Sequence, residues 1–239
     1  MKFDIKVDRI DIFDERWYSI EGEDVPNVTT YTDMYPKGLG FQYWLMNTKD
    51  PLSVRDEAGQ IGTEVHRLIE MALQGVKVIY TGQDIRVWER FVSWFEWYKE
   101  FTLEHDVKTL GIEIICYDLD LRYAGTCDWF CEVDGVKTVI DWKTGSFVGY
   151  TAELQVSAYA YALGAEQALI IQLNTDLDAS GKPKLNKKGY RVHQVKELER
   201  AFNRFKICIE DFWHENPNAK PKYKSLPTEI FIEEQYEKN

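Results

Sequence analysis

The stretch GTCDWFCEVDGVKTVIDWKTG, residues 125–145, is the most informative part of the chain about its fold. Asp134 and Gly135 lie between two runs that are rich in β-branched and aromatic residues. An Asp-Gly pair in this setting predicts a tight hairpin turn between two antiparallel strands.

The register of this hairpin places charged side chains together near its open end. With a two-residue loop, Glu132 faces Lys137, and the opposite charges of this pair support the alignment. The same alignment sets Asp128 opposite Asp141, and Lys143 shares their face because side chains alternate along a strand. Directly opposed residues have β-carbons about 4.5–5.5 Å apart, so one carboxylate should lose its charge unless a cation lies between them.

Two interpretations of this group stand. In the first, Asp141 forms a plain ion pair with Lys143, and Asp128 points to solvent. In the second, the two carboxylates bind a hard divalent cation, since oxygen ligands suit Mg²⁺ and Mn²⁺. Lys143 would then lie beside the bound metal.

Two predicted helices carry further polar side chains. His66 lies at the edge of the apolar stripe of a helix over 56–75, where it could reach a cleft or serve as a hydrogen-bonded packing residue. Gln155 and Tyr159 are four residues apart on a helix over 151–165, so their side chains face the same way. Neither feature alone identifies a site.

The order of elements indicates an α/β domain with a mixed central sheet flanked by helices. Helices over 56–75 and 84–101 precede a meander of strands over 107–145. The aromatic side of the second helix is predicted to be core and consists of Val87, Phe91, Trp94, Phe95, Tyr98 and Phe101. The elements that follow are a helix, two strands and a last helix, over 151–165, 167–174, 190–195 and 196–216.

Size and composition limit the class of protein. The chain has 239 residues, 44% of them hydrophobic and 14% aromatic, which suffices for one sizeable core. We expect a single domain over 1–239, with a motif core at about 25–175 and an extended or frayed tail over 215–239. No apolar run approaches the roughly 20 residues that a membrane span needs.

Charge and cysteine content further limit the class of protein to which the chain can belong. The net charge of −11 argues against a generally basic nucleic-acid binder. Residues 181–206 nevertheless hold nine Lys or Arg and two Glu, so a local basic face and an ordinary solvated surface both stay open. The four cysteines form no CxxC pair, which fits a reducing, cytoplasmic setting.

Four short motifs follow one another in the chain: GTEVH (62–66), GTCD (125–128), DWK (141–143) and QVSAY (155–159). In this order they resemble the GxxxH, GxxD, (D/E)xK and QxxxY pattern of the RecB-like exonuclease branch of the PD-(D/E)XK nuclease superfamily. Each motif alone is unspecific, whereas four in order on the expected elements are specific. The resemblance spans roughly residues 25–165 and implies a restriction-endonuclease-like core.

The resemblance implies a set of metal ligands. They are His66, Asp128 and Asp141, with the backbone carbonyl of Trp142 as a further ligand. Glu113 matches an acid that is often present on the strand before the hairpin. It is an additional candidate, and an ordinary exposed strand acid is the other interpretation.

The resemblance also implies roles for the other motif residues. Lys143 corresponds to the catalytic lysine that positions or activates the attacking water. Gln155 and Tyr159 correspond to the motif that steadies the active site and the DNA near the scissile phosphate. Relatives with an iron–sulfur cluster carry three cysteines near the C-terminus, whereas Cys208 is alone there, so we expect no such cluster.

The implied activity is that of a DNA exonuclease that uses one or two Mg²⁺ or Mn²⁺ ions and degrades single- or double-stranded DNA from its ends. DNA recombination, repair or phage DNA metabolism is the implied setting, with a recombination or annealing protein as partner. Three alternatives stay open: an endonuclease, an RNA substrate, and an inactive nuclease-fold module that only binds DNA or a partner.

Overall fold

The computed structural model describes residues 7–12, 15–224, 226, 227 and 229. The strands are β1 Val7–Ile12, β2 Glu15–Ile20, β3 Glu23–Pro26, β4 Val107–Asp118, β5 Tyr123–Val133, β6 Val136–Lys143, β7 Gln167–Leu173 and β8 Tyr190–Gln194. The helices are α1 Val28–Thr32, α2 Leu39–Asn47, α3 Pro51–Leu73, α4 Ile85–Glu104, α5 Tyr150–Leu163 and α6 Leu198–Glu215, and a 3₁₀ turn covers Lys222–Lys224. None of the described helices is both long and apolar enough to cross a membrane.

The central sheet has five strands in the order β4-β5-β6-β7-β8. β6 and β7 are parallel, and the other neighbouring strands are antiparallel. Helices cover both faces, with residues of α3 and α4 in the core on one side and residues of α5 and α6 in the core on the other. The predicted α/β class with a mixed, helix-flanked sheet is therefore confirmed. A separate three-stranded sheet, β1-β2-β3, comes from the N-terminal part of the chain.

The hairpin of β5 and β6 has the predicted turn and register. Asp134 and Gly135 have φ angles of 52° and 84°, which a tight turn of this kind requires at both central positions. Glu132 pairs with Lys137, and the pairing continues to Trp129 and Ile140 before it ends. Asp128 and Asp141 thus lie just beyond the last paired residues, where the two strands begin to part.

The aromatic side of α4 is core, as predicted, with one exception. Phe91 and Trp94 are buried against the sheet, together with Trp97, which the predicted stripe omits. Phe95 is 45% exposed. It follows Trp94 directly, and one residue turns a helix by about 100°, so its side chain points away from the buried side.

A further difference between prediction and structure lies at the start of α3, and the predicted tail is described in part. α3 begins at Pro51, five residues before the predicted start, because Asp50 caps the helix by accepting a hydrogen bond from the Ser53 amide. In the predicted tail over 215–239, Pro221 is buried and the Lys222 amide donates to Glu15, and an extended or frayed tail stays a prediction. Beyond that, most of the predicted tail lies outside the described residues.

The basic stretch over 181–206 does not form one surface. Lys187 and Lys188 lie in a depression beside α4, where Lys188 pairs with Glu100 at 2.6 Å. Arg200 and Arg204 line another depression on the α6 side of the sheet. Of the two interpretations of this stretch, a local basic face does not include both groups, because Lys188 contacts α4 whereas α6 packs on the other face of the sheet.

Candidate active site

A cleft of about 390 Å³ opens where β5 and β6 part. The structure brings to it all seven side chains that the sequence analysis selects: His66, Glu113, Asp128, Asp141, Lys143, Gln155 and Tyr159. They come from α3, three neighbouring strands of the central sheet, and α5. Five elements that are distant in sequence thus converge on one point.

Asp128 is buried, and one of its carboxylate oxygens contacts two neighbouring groups. It is 7% exposed, and its Oδ2 accepts a hydrogen bond from the Trp142 amide at 2.8 Å. His66 Nδ1 lies 3.4 Å from the same oxygen, and His66 Nε2 lies 3.1 Å from the Trp142 carbonyl oxygen. Since a carbonyl only accepts, Nε2 carries a proton. Burial opposes charge on His66, yet the negative charge of Asp128 raises its pKa to about 9.

Asp141 is the least satisfied group in the cleft. It is 1% exposed, and neither of its carboxylate oxygens has a hydrogen-bond partner in the described part of the chain. Lys143 Nζ lies 2.7 Å from Oδ2, close enough for an ion pair but outside hydrogen-bond geometry. Burial raises the pKa of Asp141 to about 6; the Lys143 charge opposes this rise and the Asp128 charge adds to it.

The first sequence interpretation is therefore correct only in part. Asp141 does pair with Lys143, but Asp128 does not point to solvent. The expectation that one of the two carboxylates should resist ionisation agrees with the raised pKa of Asp141. The buried pair of acids, and not the ion pair alone, governs the electrostatics of the cleft.

A chain of hydrogen bonds holds Lys143 in place. Its Nζ donates to Gln155 Oε1 at 2.9 Å, and Gln155 Nε2 donates to the Tyr159 hydroxyl at 2.8 Å. Tyr159 packs closely on Gly125, where a β-carbon would lie 2.4 Å from the ring. The glycine of the GTCD motif therefore has a packing reason, because a larger residue there would displace Tyr159 and, through Gln155, the lysine.

Glu113 has an unusual backbone in the middle of β4. Its φ is +48°, in the left-handed region that non-glycine residues rarely adopt. It lies between the paired residues Ile112 and Ile114, opposite Asp128 on β5. It is half-buried, so it is not an ordinary exposed strand acid. Burial and the nearby Asp128 raise its pKa to about 7.

These groups suit a divalent metal ion. Ligand atoms of His66, Glu113 and Asp128 all lie within 4.8 Å of one another. This group of three does not include Asp141, whose carboxylate pairs with Lys143, and the Trp142 carbonyl lies beside His66. The set is mainly oxygen, with one imidazole, which matches the preferences of small divalent cations.

Neither a protein-family model nor a curated protein matches the chain. Solved structures resemble it in fold. The protein SSO0001 has a TM-score of 0.38 at 11% identity, covering 86% of each chain. An alkaline exonuclease (LHK-Exo) from Laribacter hongkongensis has a TM-score of 0.36 at 9% identity, covering 80% of this chain and 92% of its own.

A phage-related exonuclease from Haemophilus somnus 129PT has a TM-score of 0.34 at 11% identity, covering 79% of this chain and 93% of its own. Two of these three structural neighbours are exonucleases. Likenesses at these TM-scores and identities are distant and assign no activity to this chain.

A buried network that the sequence analysis missed holds the segment after Lys143. Arg90 of α4 is buried, and its Nε donates to the Thr144 carbonyl at 3.3 Å. Asn174 donates to the same carbonyl at 3.2 Å, and Asp176 accepts from Arg90 Nη2 at 2.7 Å. The signal in the sequence was an arginine on the apolar side of a helix, because a buried charge of this kind needs a specific partner.

Proposed function

We propose that this chain is a divalent-metal-dependent nuclease that hydrolyses phosphodiester bonds in DNA, with a RecB-like PD-(D/E)XK core. The observation that carries the proposal is the state of Asp141. Its carboxylate is buried, burial raises its pKa, and the group that pairs with it is the Lys143 ammonium, 2.7 Å from Oδ2. A charge kept in this condition is costly, and a cation in the cleft would remove that cost.

The metal would be held by Asp128, Asp141, His66 and the Trp142 carbonyl, with Glu113 as an additional ligand. We propose Mg²⁺ or Mn²⁺, as one or two ions, because oxygen donors dominate the set. A bound ion supplies Lewis-acid charge at the scissile phosphate and lowers the pKa of a water molecule. His66 must give up a proton to act as a ligand, so acid conditions should weaken metal binding.

Lys143 is the proposed catalytic lysine. Asp141 and Gln155 hold its Nζ from two sides, at 2.7 and 2.9 Å, which keeps the ammonium group charged and directed at the cleft. From there it can hydrogen-bond the attacking water or a phosphate oxygen that gains negative charge. Tyr159 supports this role through Gln155.

The finer parts of the proposal rest on the four-motif resemblance. They are exonuclease rather than endonuclease activity, DNA ends as substrate, and a cytoplasmic role in recombination, repair or phage DNA metabolism. A recombination or annealing partner protein belongs to the same inference. A single domain over residues 1–239 and the lack of an iron–sulfur cluster also stay predictions.

End-labelled linear DNA and closed circular DNA, incubated with the purified chain in Mg²⁺ or Mn²⁺, test the proposal. We expect the linear DNA to be degraded and the circle to survive, with no degradation by Asp141→Ala and much slower degradation by Lys143→Ala. Lys99→Ala, an exposed lysine of α4 that pairs with Glu96, is a matched control and should remain active.

Intact DNA in both metals would refute the enzyme, and a gel shift without cleavage would support the inactive binding module. Cleavage of the circle would indicate an endonuclease, and an RNA arm tests the substrate class.

A further inference from the structure

The N-terminal sheet supplies one wall of the cleft, and this wall is basic. Asp11 pairs with Arg16 across β1 and β2, and Arg9 pairs with Tyr18. Residues two apart on a strand share a face, so these four side chains project from one side of the sheet. Arg9 and Arg16 line the same cleft as the candidate metal ligands.

Asp11 holds the two arginines side by side. Its Oδ2 accepts from Arg9 Nε at 2.7 Å, and its Oδ1 accepts from Arg16 Nε at 2.9 Å. Over residues 7–12 and 15–224, neither guanidinium makes any other side-chain hydrogen bond, so the Nη groups of both remain for a ligand. The two arginine side chains are 35% and 43% exposed, within reach of a molecule in the cleft.

A hydrogen bond fixes this wall close to the catalytic strand. The Tyr18 hydroxyl lies 2.9 Å from Thr126 Oγ1. Thr126 precedes Asp128 by two residues on β5, so the two side chains share a face about 7 Å apart. Burial raises the pKa of Glu113, and Arg9 is near enough to oppose that rise. The hydrogen bond thus holds the strand that carries Arg16 beside the strand that carries Asp128, and both arginines line the same cleft as the candidate metal ligands.

Arg67, the third arginine that lines the cleft, already has a hydrogen-bonded partner. Arg67 gives its Nε and Nη2 to the two carboxylate oxygens of Glu64, at 2.9 and 2.6 Å. Lys143 is held by Asp141 and Gln155. Among the described arginines of the cleft, Arg9 and Arg16 are therefore the two with unused donors.

We propose that Arg9 and Arg16, preorganised by Asp11, form a clamp for a phosphate group next to the one that is cleaved. Guanidinium groups with paired Nη donors match phosphate oxygens in geometry as well as in charge. The inference rests on the proposed function and defines a substrate subsite within the same cleft. The phosphate is either an internal phosphodiester or a terminal phosphomonoester, which differ in charge.

Binding, not cleavage, tests the clamp. In an Asp141→Ala background, fluorescence anisotropy would follow labelled oligonucleotides with and without a terminal phosphate. Removing either arginine by Arg9→Ala or Arg16→Ala should weaken binding about three- to tenfold and reduce the slope of log K against log salt by about 0.7–0.9. Arg16→Lys should keep the salt slope but lose part of the affinity. Arg200→Ala, an exposed arginine of α6 paired with Glu197, is the matched control and should bind normally.

The outcomes separate the clamp from the nuclease proposal. A larger loss with the terminally phosphorylated oligonucleotide supports the clamp on a phosphomonoester, and an equal loss with both supports it on a phosphodiester. Inorganic pyrophosphate, titrated by calorimetry, is the second probe. If the parent binds pyrophosphate through the two arginines but binds no oligonucleotide, the clamp stands and the nuclease proposal fails. If the Arg9→Ala/Arg16→Ala double variant matches the parent with both probes, or the parent binds neither, the clamp is refuted.

Discussion

The buried carboxylate of Asp141 should lower the free energy of unfolding of the metal-free protein, and Asp141→Asn should raise it again. The substitution keeps the shape of the side chain and removes its charge. In the folded chain burial raises the Asp141 pKa from 3.8 to about 6. A carboxyl group with a raised pKa binds its proton more tightly when folded, so the wild type loses stability as the pH rises through this window.

The size of the loss follows from the two pKa values. Each pKa unit corresponds to about 1.4 kcal/mol, so the penalty is about 3 kcal/mol once the pH is well above 6. At pH 4 the group is mostly protonated in the folded state, and the penalty is only about 0.5 kcal/mol. Going from pH 4 to pH 8, Asp141→Asn should therefore gain about 2–3 kcal/mol relative to wild type. Comparing the two pH values cancels the cost of burying an amide, which is the same at both.

Urea denaturation in the presence of a chelator measures this difference directly. Asp120→Asn, an exposed aspartate between β4 and β5, serves as the control and should show the same effect at both pH values. At pH 8, added Mg²⁺ or Mn²⁺ should stabilise the wild type and leave Asp141→Asn almost unchanged, because only the former offers the full ligand set. A change in relative stability of less than about 0.5 kcal/mol between pH 4 and pH 8 would refute the reasoning.

Three further predictions concern Lys143, the proposed catalytic lysine, and the residues that support it. Gly125→Ala should destabilise the fold by about 1–3 kcal/mol, because its β-carbon would meet the Tyr159 ring at 2.4 Å, whereas Gly40→Ala, in helix α2 with nothing within 4 Å, should cause no loss of stability in the same urea experiment. Lys143→Ala should lower kcat on end-labelled DNA by about 10²- to 10³-fold, as loss of a transition-state donor does, and unchanged kcat would exclude the lysine from the chemistry. Tyr159→Phe removes the acceptor of Gln155 and should lower kcat about tenfold with KM unchanged; an equal rise in KM would instead indicate a role in DNA binding.

Local patterns in the sequence were sufficient for the hairpin and for most of the cleft. The Asp134-Gly135 turn sets the register, and the register carries Asp128 and Asp141 to the point where the strands part. Gln155 and Tyr159 lie together because they are four residues apart on α5, and the structure shows them bonded to each other. In each case the information lies within one strand pair or one helix, which is the range over which periodicity is informative.

Long-range packing decided what the sequence analysis missed. Arg9 and Arg16 belong to a separate sheet, and only the Tyr18–Thr126 hydrogen bond places that sheet beside the cleft. No pattern near residue 90 indicates that Arg90 holds the carbonyl of Thr144, 54 positions away. The two interpretations of the basic stretch over 181–206 stayed open in the sequence for the same reason, because composition does not specify the side of the sheet on which each residue lies.

Two features of this cleft are unusual in proteins, and together they favour a ligand-binding site over a coincidence of packing. Asp141 is buried with its charge poorly satisfied, and Glu113 has a strained backbone within an otherwise regular strand. Either feature alone costs free energy that random variation would readily remove, since an asparagine or a glycine would relieve it. The Asp128 charge raises the pKa of both acidic groups, and ligand atoms of Glu113, Asp128 and His66 lie within 4.8 Å of one another, so a cation bound there would offset part of this negative charge. The cost to the metal-free protein is therefore the expected counterpart of a preorganised metal site, and the stability of Asp141→Asn measures it.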